Sequence, residues 1–111
     1  MFRLLQKYLY KMKGDITILS GTEIIQQLGK RYAQYRKRAK LTQKEVSAQS
    51  GLSVFTISGF ENGTQTGISM SAFIKLMRAI GVLNQMEELL PELPPSPKEL
   101  YYELEKRRKK E

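Results

Sequence analysis

Residues 42–63 constrain the fold most, because they carry the signals for two short helices and for the turn between them. Thr42 and Glu45 have the spacing of a capping box, in which a hydroxyl and a carboxylate satisfy unpaired amides at the start of a helix. Gly51 suits the end of that helix, since glycine adopts a positive φ at little cost. Ser53 can cap the second helix. The pattern predicts two helices joined by a turn of about three residues.

The helical spacing of apolar residues extends this unit on both sides. Residues 22–39 are predicted to form a first helix, with Thr22 as its cap. Residues 69–80 are predicted to form a helix that Gly81 stops, and residues 84–90 a short fifth helix. The spacing therefore favours an all-α domain.

The four prolines, which all lie within residues 91–97, mark the end of the folded unit. Proline lacks an amide hydrogen and biases the preceding residue toward extended backbone. We therefore expect a domain at residues 21–91, an N-terminal extension at residues 1–20, and a proline-rich linker with a basic tail at residues 92–111.

The two ends of the chain leave alternatives open. Residues 96–99 have the residue types to restart a helix. The basic run at 106–110 would hold phosphates or an acidic partner, or would be a solvated end. Residues 2–12 carry an apolar helical face, which suits packing, a partner contact or, less well, a membrane surface. Residues 16–19 favour a short strand that would pair with its copy in a dimer.

Composition narrows the function classes. The 111 residues include 19 Lys and Arg against 11 Asp and Glu, a net charge of +8 that favours a polyanionic partner. Cysteine and histidine are absent, which excludes thiolate zinc sites, disulfides and histidine-based catalysis. We therefore expect no enzyme and no cofactor. No apolar run approaches the roughly 18 residues that span a bilayer, so we expect no membrane partner.

The motif resembles the Cro and phage-repressor (XRE) type of helix-turn-helix domain over roughly residues 23–83. Those proteins carry Leu-Thr-Gln-x-Glu-Leu-Ala, Gly-Val-Ser, Thr-Ile-Ser and Glu-Asn-Gly. The matching positions here are Leu41 to Val46, Gly51 to Ser53, Thr56 to Ser58 and Glu61 to Gly63. The resemblance implies a compact five-helix lambda-repressor-like domain in a cytoplasmic transcriptional regulator. It also implies a homodimer that binds a two-fold site on double-stranded DNA and represses transcription. Two positions depart from the pattern: Ser47 replaces the usual alanine, and Gly59 is expected on the exposed face of the second helix.

The resemblance also assigns roles to particular residues. In that family, base edges are often contacted by the positions that match Val54, Phe55 and Gly59. The phosphate backbone is often contacted by the positions that match Gln43, Thr56 and Asn62. The second helix of the motif is the recognition helix, whose N-terminal residues point into the DNA groove, so Ser53 and Ser58 are also candidates for DNA contact. Lys44 is expected to reach a phosphate. Arg36 and Glu61 match positions that commonly form a structural ion pair.

Val54 and Phe55 carry no hydrogen-bonding group in their side chains. Direct base reading by this pair would rest on apolar contact with thymine methyl groups, with neighbouring hydroxyls supplying polar contacts. The alternative is that Phe55 folds back into the core, because an exposed phenylalanine is costly.

A narrower similarity concerns Thr56–Asn62 and Ser71–Leu76, which are similar to stretches of HipB-type antitoxins. This resemblance implies the alternative function of a dimer that represses its own operon and binds a kinase-like toxin. An apolar face near the end of the domain would pack on a second subunit or cap the same domain. Its residues are Leu83, Met86, Leu89 and Leu90.

Overall fold

The computed structural model describes residues 4–5 and 14–110. Residues 14–110 form five α-helices: α1 (Gly21–Arg38), α2 (Gln43–Ser50), α3 (Val54–Asn62), α4 (Met70–Ala79) and α5 (Pro97–Lys110). Two 3-10 helices cover Ile16–Ile18 and Leu83–Glu88. The described residues contain no β-strand, which confirms the predicted all-α class.

Helices α1 to α4 enclose one hydrophobic core. Its buried members are Tyr32, Val46, Ile57, Phe60, Phe73 and Leu76. The Phe60 ring lies between the rings of Tyr32 and Phe73, with centroids 5.8 and 6.1 Å away. The Tyr32 hydroxyl donates to the carbonyl of Leu76 at 2.8 Å, so a buried polar group is satisfied. Burial also raises the pKa of Tyr32, which keeps this donor protonated. These contacts join α1, α3 and α4.

Helices α1 and α3 cross at Gly29. A β-carbon on this buried glycine would collide with the backbone carbonyl of Phe60. Glycine costs a helix about 1 kcal/mol relative to alanine, but here it allows two backbones to approach closely. The close crossing places α3 against α1 and leaves the opposite side of α3 outward.

The cap of the first helix lies two residues earlier than predicted. Ser20, not Thr22, is its cap: the Ser20 hydroxyl accepts from the Glu23 amide at 3.2 Å, and the Glu23 carboxylate accepts from the Ser20 amide at 3.4 Å. This is a capping box that the apolar spacing did not reveal. The capping box predicted for α2 at Thr42 and Glu45 is present, with the two hydrogen bonds at 3.0 and 3.2 Å.

The strand predicted at residues 16–19 is wrong. Ile16–Ile18 is a 3-10 helix, because the Asp15 carboxylate accepts from the Thr17 amide at 3.0 Å and caps a turn. No strand edge is therefore available there for pairing with a second copy. The apolar helical face predicted at residues 2–12 lies almost entirely outside the described residues.

The segment after α4 has one side chain packed against the core and others exposed to solvent. The predicted fifth helix at 84–90 is instead the 3-10 helix Leu83–Glu88. Met86 packs against the core, whereas Leu89 and Leu90 are exposed. The restarted helix at residues 96–99 is confirmed as the start of α5, where Ser96 and Glu99 exchange hydrogen bonds of 3.1 Å in a capping box.

The crossing of α1 and α3 predicts the effect of Gly29→Ala. The added methyl group meets a backbone carbonyl that cannot move without separating the helices, so we expect a loss of about 2 kcal/mol in the free energy of unfolding. Urea denaturation followed by circular dichroism measures it. Gly21→Ala is the control, because Gly21 is also helical and has open space around it. Equal unfolding midpoints for the two variants would contradict the crossing.

Candidate nucleic-acid interface

The turn between α2 and α3 contains three residues, Gly51, Leu52 and Ser53, as predicted. Gly51 has φ 77°, which lets the chain leave α2 in the left-handed region. The Ser47 hydroxyl donates to the Leu52 carbonyl at 2.6 Å, so the serine that departs from the family pattern ties α2 to the turn. The Ser53 hydroxyl accepts from the Thr56 amide at 3.0 Å and caps α3. The turn therefore sets the direction of α3 closely.

The start of α3 presents an apolar pair to solvent. Phe55 is 77% exposed and Val54 is 42% exposed, while Ile57 and Phe60 on the opposite face are fully buried. Phe55 thus does not fold back into the core, and that alternative is wrong. An exposed phenylalanine at a helix N-terminus costs hydration free energy unless another molecule covers it.

Hydroxyl and amide groups surround this pair. The Ser53 hydroxyl donates to the Thr56 hydroxyl at 2.9 Å, so both lie together at the first turn of α3. Ser58 is half-buried one turn further along. At the far end of α3, the exposed Asn62 accepts from the Thr64 amide at 2.9 Å, which orients its side chain. These groups offer short, adjustable hydrogen bonds along the outer side of the helix.

Gly59 lies elsewhere than expected. It is buried, and a β-carbon on it would lie 2.6 Å from Cγ of Gln65. The Gln65 amide also donates to the Gly59 carbonyl at 3.0 Å. The prediction that Gly59 lies on the exposed face of α3 is therefore wrong, because the loop after α3 folds back over it. The glycine gives room for that loop.

A buried ion pair connects α1 to the end of α3. Arg36 donates to the two carboxylate oxygens of Glu61 at 2.7 and 2.8 Å, and the two side chains are only 9% and 6% exposed. The guanidinium also donates to the Leu41 carbonyl at 2.8 Å. The hydrogen bond to Glu61 raises the pKa of Arg36, so the guanidinium is charged at every accessible pH.

Gln43 joins this pair at the first residue of α2. Its side-chain amide donates to Glu61 at 3.0 Å, so the carboxylate accepts from α1 and α2 together. Lys44, the next residue, is exposed, as is Lys40 in the preceding loop. Two exposed lysines thus flank the start of α2, where helix amides and positive charge both favour an anion.

Helices α2 and α3 therefore form a pair in which α3 presents its N-terminal end to solvent and exposed lysines flank the start of α2. Residues 33–82 match the model of the helix-turn-helix family. This segment belongs to that family. Its members are DNA-binding regulators of the XRE type and are typically not enzymes. No curated protein and no solved structure matches the chain.

The family match covers the last third of α1 and all of α2, the turn, α3 and α4. It includes the buried ion pair and the exposed apolar pair, so both belong to the helix-turn-helix domain. Among residues 4–5 and 14–110, no helix has the length and apolar character to cross a membrane. The same residues hold no carboxylate cluster suited to a metal ion.

The ion pair predicts a large effect of Glu61→Ala. Removing the carboxylate leaves the buried Arg36 guanidinium without its partner and Gln43 without its acceptor, so we expect a loss of about 3 kcal/mol in the free energy of unfolding. Thermal and urea unfolding measure it.

Glu105→Ala is the matched control, because Glu105 pairs with Arg108 at 3.0 Å where the arginine is 74% exposed. Breaking that exposed pair should cost less than about 0.5 kcal/mol. A small, equal loss in both variants would show that the pair of Arg36 and Glu61 contributes little to stability.

Proposed function

We propose that this helix-turn-helix protein is a sequence-specific transcriptional repressor that binds a two-fold operator in double-stranded DNA. The observation that carries the proposal is the exposed apolar pair Val54 and Phe55 at the N-terminal end of α3. In this motif the N-terminal residues of the second helix reach base edges in the major groove. Contact with thymine methyl groups would cover the side chains that the free domain leaves in water.

Polar residues around the pair would provide the remaining contacts. Ser58 lies on α3, and the hydroxyls of Ser53 and Thr56 lie together at its start, where helix amides favour a phosphate. Asn62 and Gln43 lie at the far end of α3 and the start of α2, positions from which backbone contacts fix the register.

The division of the chain supports a repressor with a single reading domain. We propose that residues 21–91 form the DNA-binding domain, with an N-terminal extension at 1–20 and a linker and basic tail at 92–111. A two-fold operator requires two domains whose half-sites lie about one helical turn, or roughly ten base pairs, apart. A regulator of this kind works where the DNA is, which in a bacterial cell is the cytoplasm.

Selection from a pool of randomised duplexes tests the proposal. The expected result is an enriched two-fold sequence with thymine-containing steps in each half-site. Enrichment of no sequence would contradict specific binding, and a single unrepeated site would contradict the two-fold operator.

Phe55→Ala tests which residues read the bases. We expect about a tenfold loss of affinity for the selected site, equivalent to about 1.4 kcal/mol, with unchanged affinity for a scrambled duplex. The free energy of unfolding should change by less than about 0.5 kcal/mol, because Phe55 is exposed. Met70→Ala, at another exposed apolar position, is the control. Retention of full sequence preference by Phe55→Ala would exclude Phe55 from base reading.

Lys44→Gln tests the phosphate contact at the start of α2. Loss of one phosphate contact should lower the slope of log affinity against log salt by about one unit. Lys75→Gln changes the net charge equally but lies on α4, beside the end of α2, and should leave the slope nearly unchanged. Anisotropy titrations at several salt concentrations give both slopes. Equal slopes in the two variants would mean that Lys44 contributes only general charge.

The second candidate function is a HipB-type antitoxin, which would repress its own operon and bind a kinase-like toxin. It is favoured by the similarity of Thr56–Asn62 and Ser71–Leu76 to those proteins. A neighbouring gene for a kinase-like protein, and co-purification of the two products, would support it. A gene neighbourhood without such a protein would contradict the antitoxin function and leave the repressor as the one candidate function.

A further inference from the structure

Helix α5 carries an exposed apolar stripe that the helix-turn-helix domain does not cover. At 100° per residue, Leu100, Tyr101 and Leu104 lie on one side of the helix. The Tyr102 ring lies beside the stripe, with its centroid 6.0 Å from that of Tyr101. Every residue from Glu87 to Leu104 is exposed, including the whole stripe.

An exposed helix of this length requires stabilisation from packing. Helices shorter than about 12–15 residues are marginal in water even with favourable sequences, and α5 has 14 residues. The capping box at Ser96 and one ion pair between Glu105 and Arg108 add only small contributions. Burial of the stripe would supply the packing that this exposed helix lacks.

We propose that α5 packs antiparallel against α5 of a second copy of this chain. The distribution of charge along the helix selects this orientation. Residues 97–105 carry three glutamates and one lysine, whereas residues 106–110 are all lysine or arginine. Parallel pairing would place the two basic runs together, which is unfavourable, while antiparallel pairing places each basic run toward the acidic half of the other helix.

The edge of the stripe supports the same arrangement. Lys98 and Glu105 are seven residues apart, which places them on the same edge of the helix. A two-fold axis crossing the helices near residues 101 and 102 sets Lys98 against Glu105 of the partner subunit twice. Identical surfaces related by a two-fold axis form a self-complementary interface.

Further apolar side chains precede α5. Leu89, Leu90 and Leu93 are also largely exposed in the segment leading to it. A dimer that covered them together with the stripe would remove this apolar surface from water. The pairing rests on the proposed function for its role, since it would bring two DNA-binding domains to one two-fold operator.

Sedimentation velocity of the full chain without DNA tests the pairing. We expect a dimer at micromolar concentration, and Tyr101→Asp should weaken association at least tenfold. Met70→Asp is the matched control, because Met70 is 60% exposed and Tyr101 is 61% exposed, but Met70 lies on α4. Circular dichroism should show equal unfolding of the helix-turn-helix domain in both variants. A monomeric wild-type chain, or equal weakening by both changes, would overturn the proposal.

Disulfide trapping tests the orientation, since the chain has no cysteine of its own. Lys98→Cys and Glu105→Cys chains, one carrying a size tag, are mixed and oxidised. We expect disulfides chiefly between the two variants. Disulfides chiefly between like chains, or none, would overturn the antiparallel arrangement.

Neither experiment contains DNA, so the two proposals fail separately. A chain that pairs through α5 but selects no DNA sequence contradicts the proposed function alone. A monomer that still selects a sequence contradicts the pairing alone.

Discussion

The buried ion pair of Arg36 and Glu61 joins α1, the loop before α2, α2 and α3. The Arg36 guanidinium reaches Glu61 at the end of α3 and the Leu41 carbonyl in the loop before α2, while Gln43 on α2 shares the same carboxylate. Because both charges are buried, each depends on the other for its hydrogen bonds. The ion pair therefore fixes the positions of α1, α2 and α3 relative to one another. These positions decide which face of α3 is exposed to solvent.

The core and the interface use opposite faces of the same helix. Ile57 and Phe60 anchor α3 inside, and the close crossing at Gly29 brings α3 down onto α1. Val54 and Phe55 then have no place in the core and remain in solvent. A net charge of +8 would attract any polyanion, but charge alone carries no preference for a base. Sequence reading must come from the side chains that the packing turns outward.

Local signals predicted the local structure well. The capping box at Thr42 and the left-handed turn at Gly51 depend on residues within a few positions, so the sequence shows them directly. Packing between distant segments was not visible. Gly29 reads as a weak helix residue until Phe60 is placed against it, and Gly59 reads as exposed until Gln65 folds over it. A single sequence holds no record of such contacts between distant residues. The strand predicted at 16–19 failed for a different reason: the residue types favoured a strand, and the local cap by Asp15 that makes a turn was not recognised.

Fluorescence anisotropy on the DNA upstream of this gene, against a scrambled duplex and from low to physiological salt, tests the central claim most directly. A preference of at least about a thousandfold for the upstream DNA at physiological salt is the expected result, because base contacts by α3 persist when phosphate attraction is screened. Equal binding to both duplexes that disappears as salt rises would contradict it, and would leave the domain with charge attraction alone.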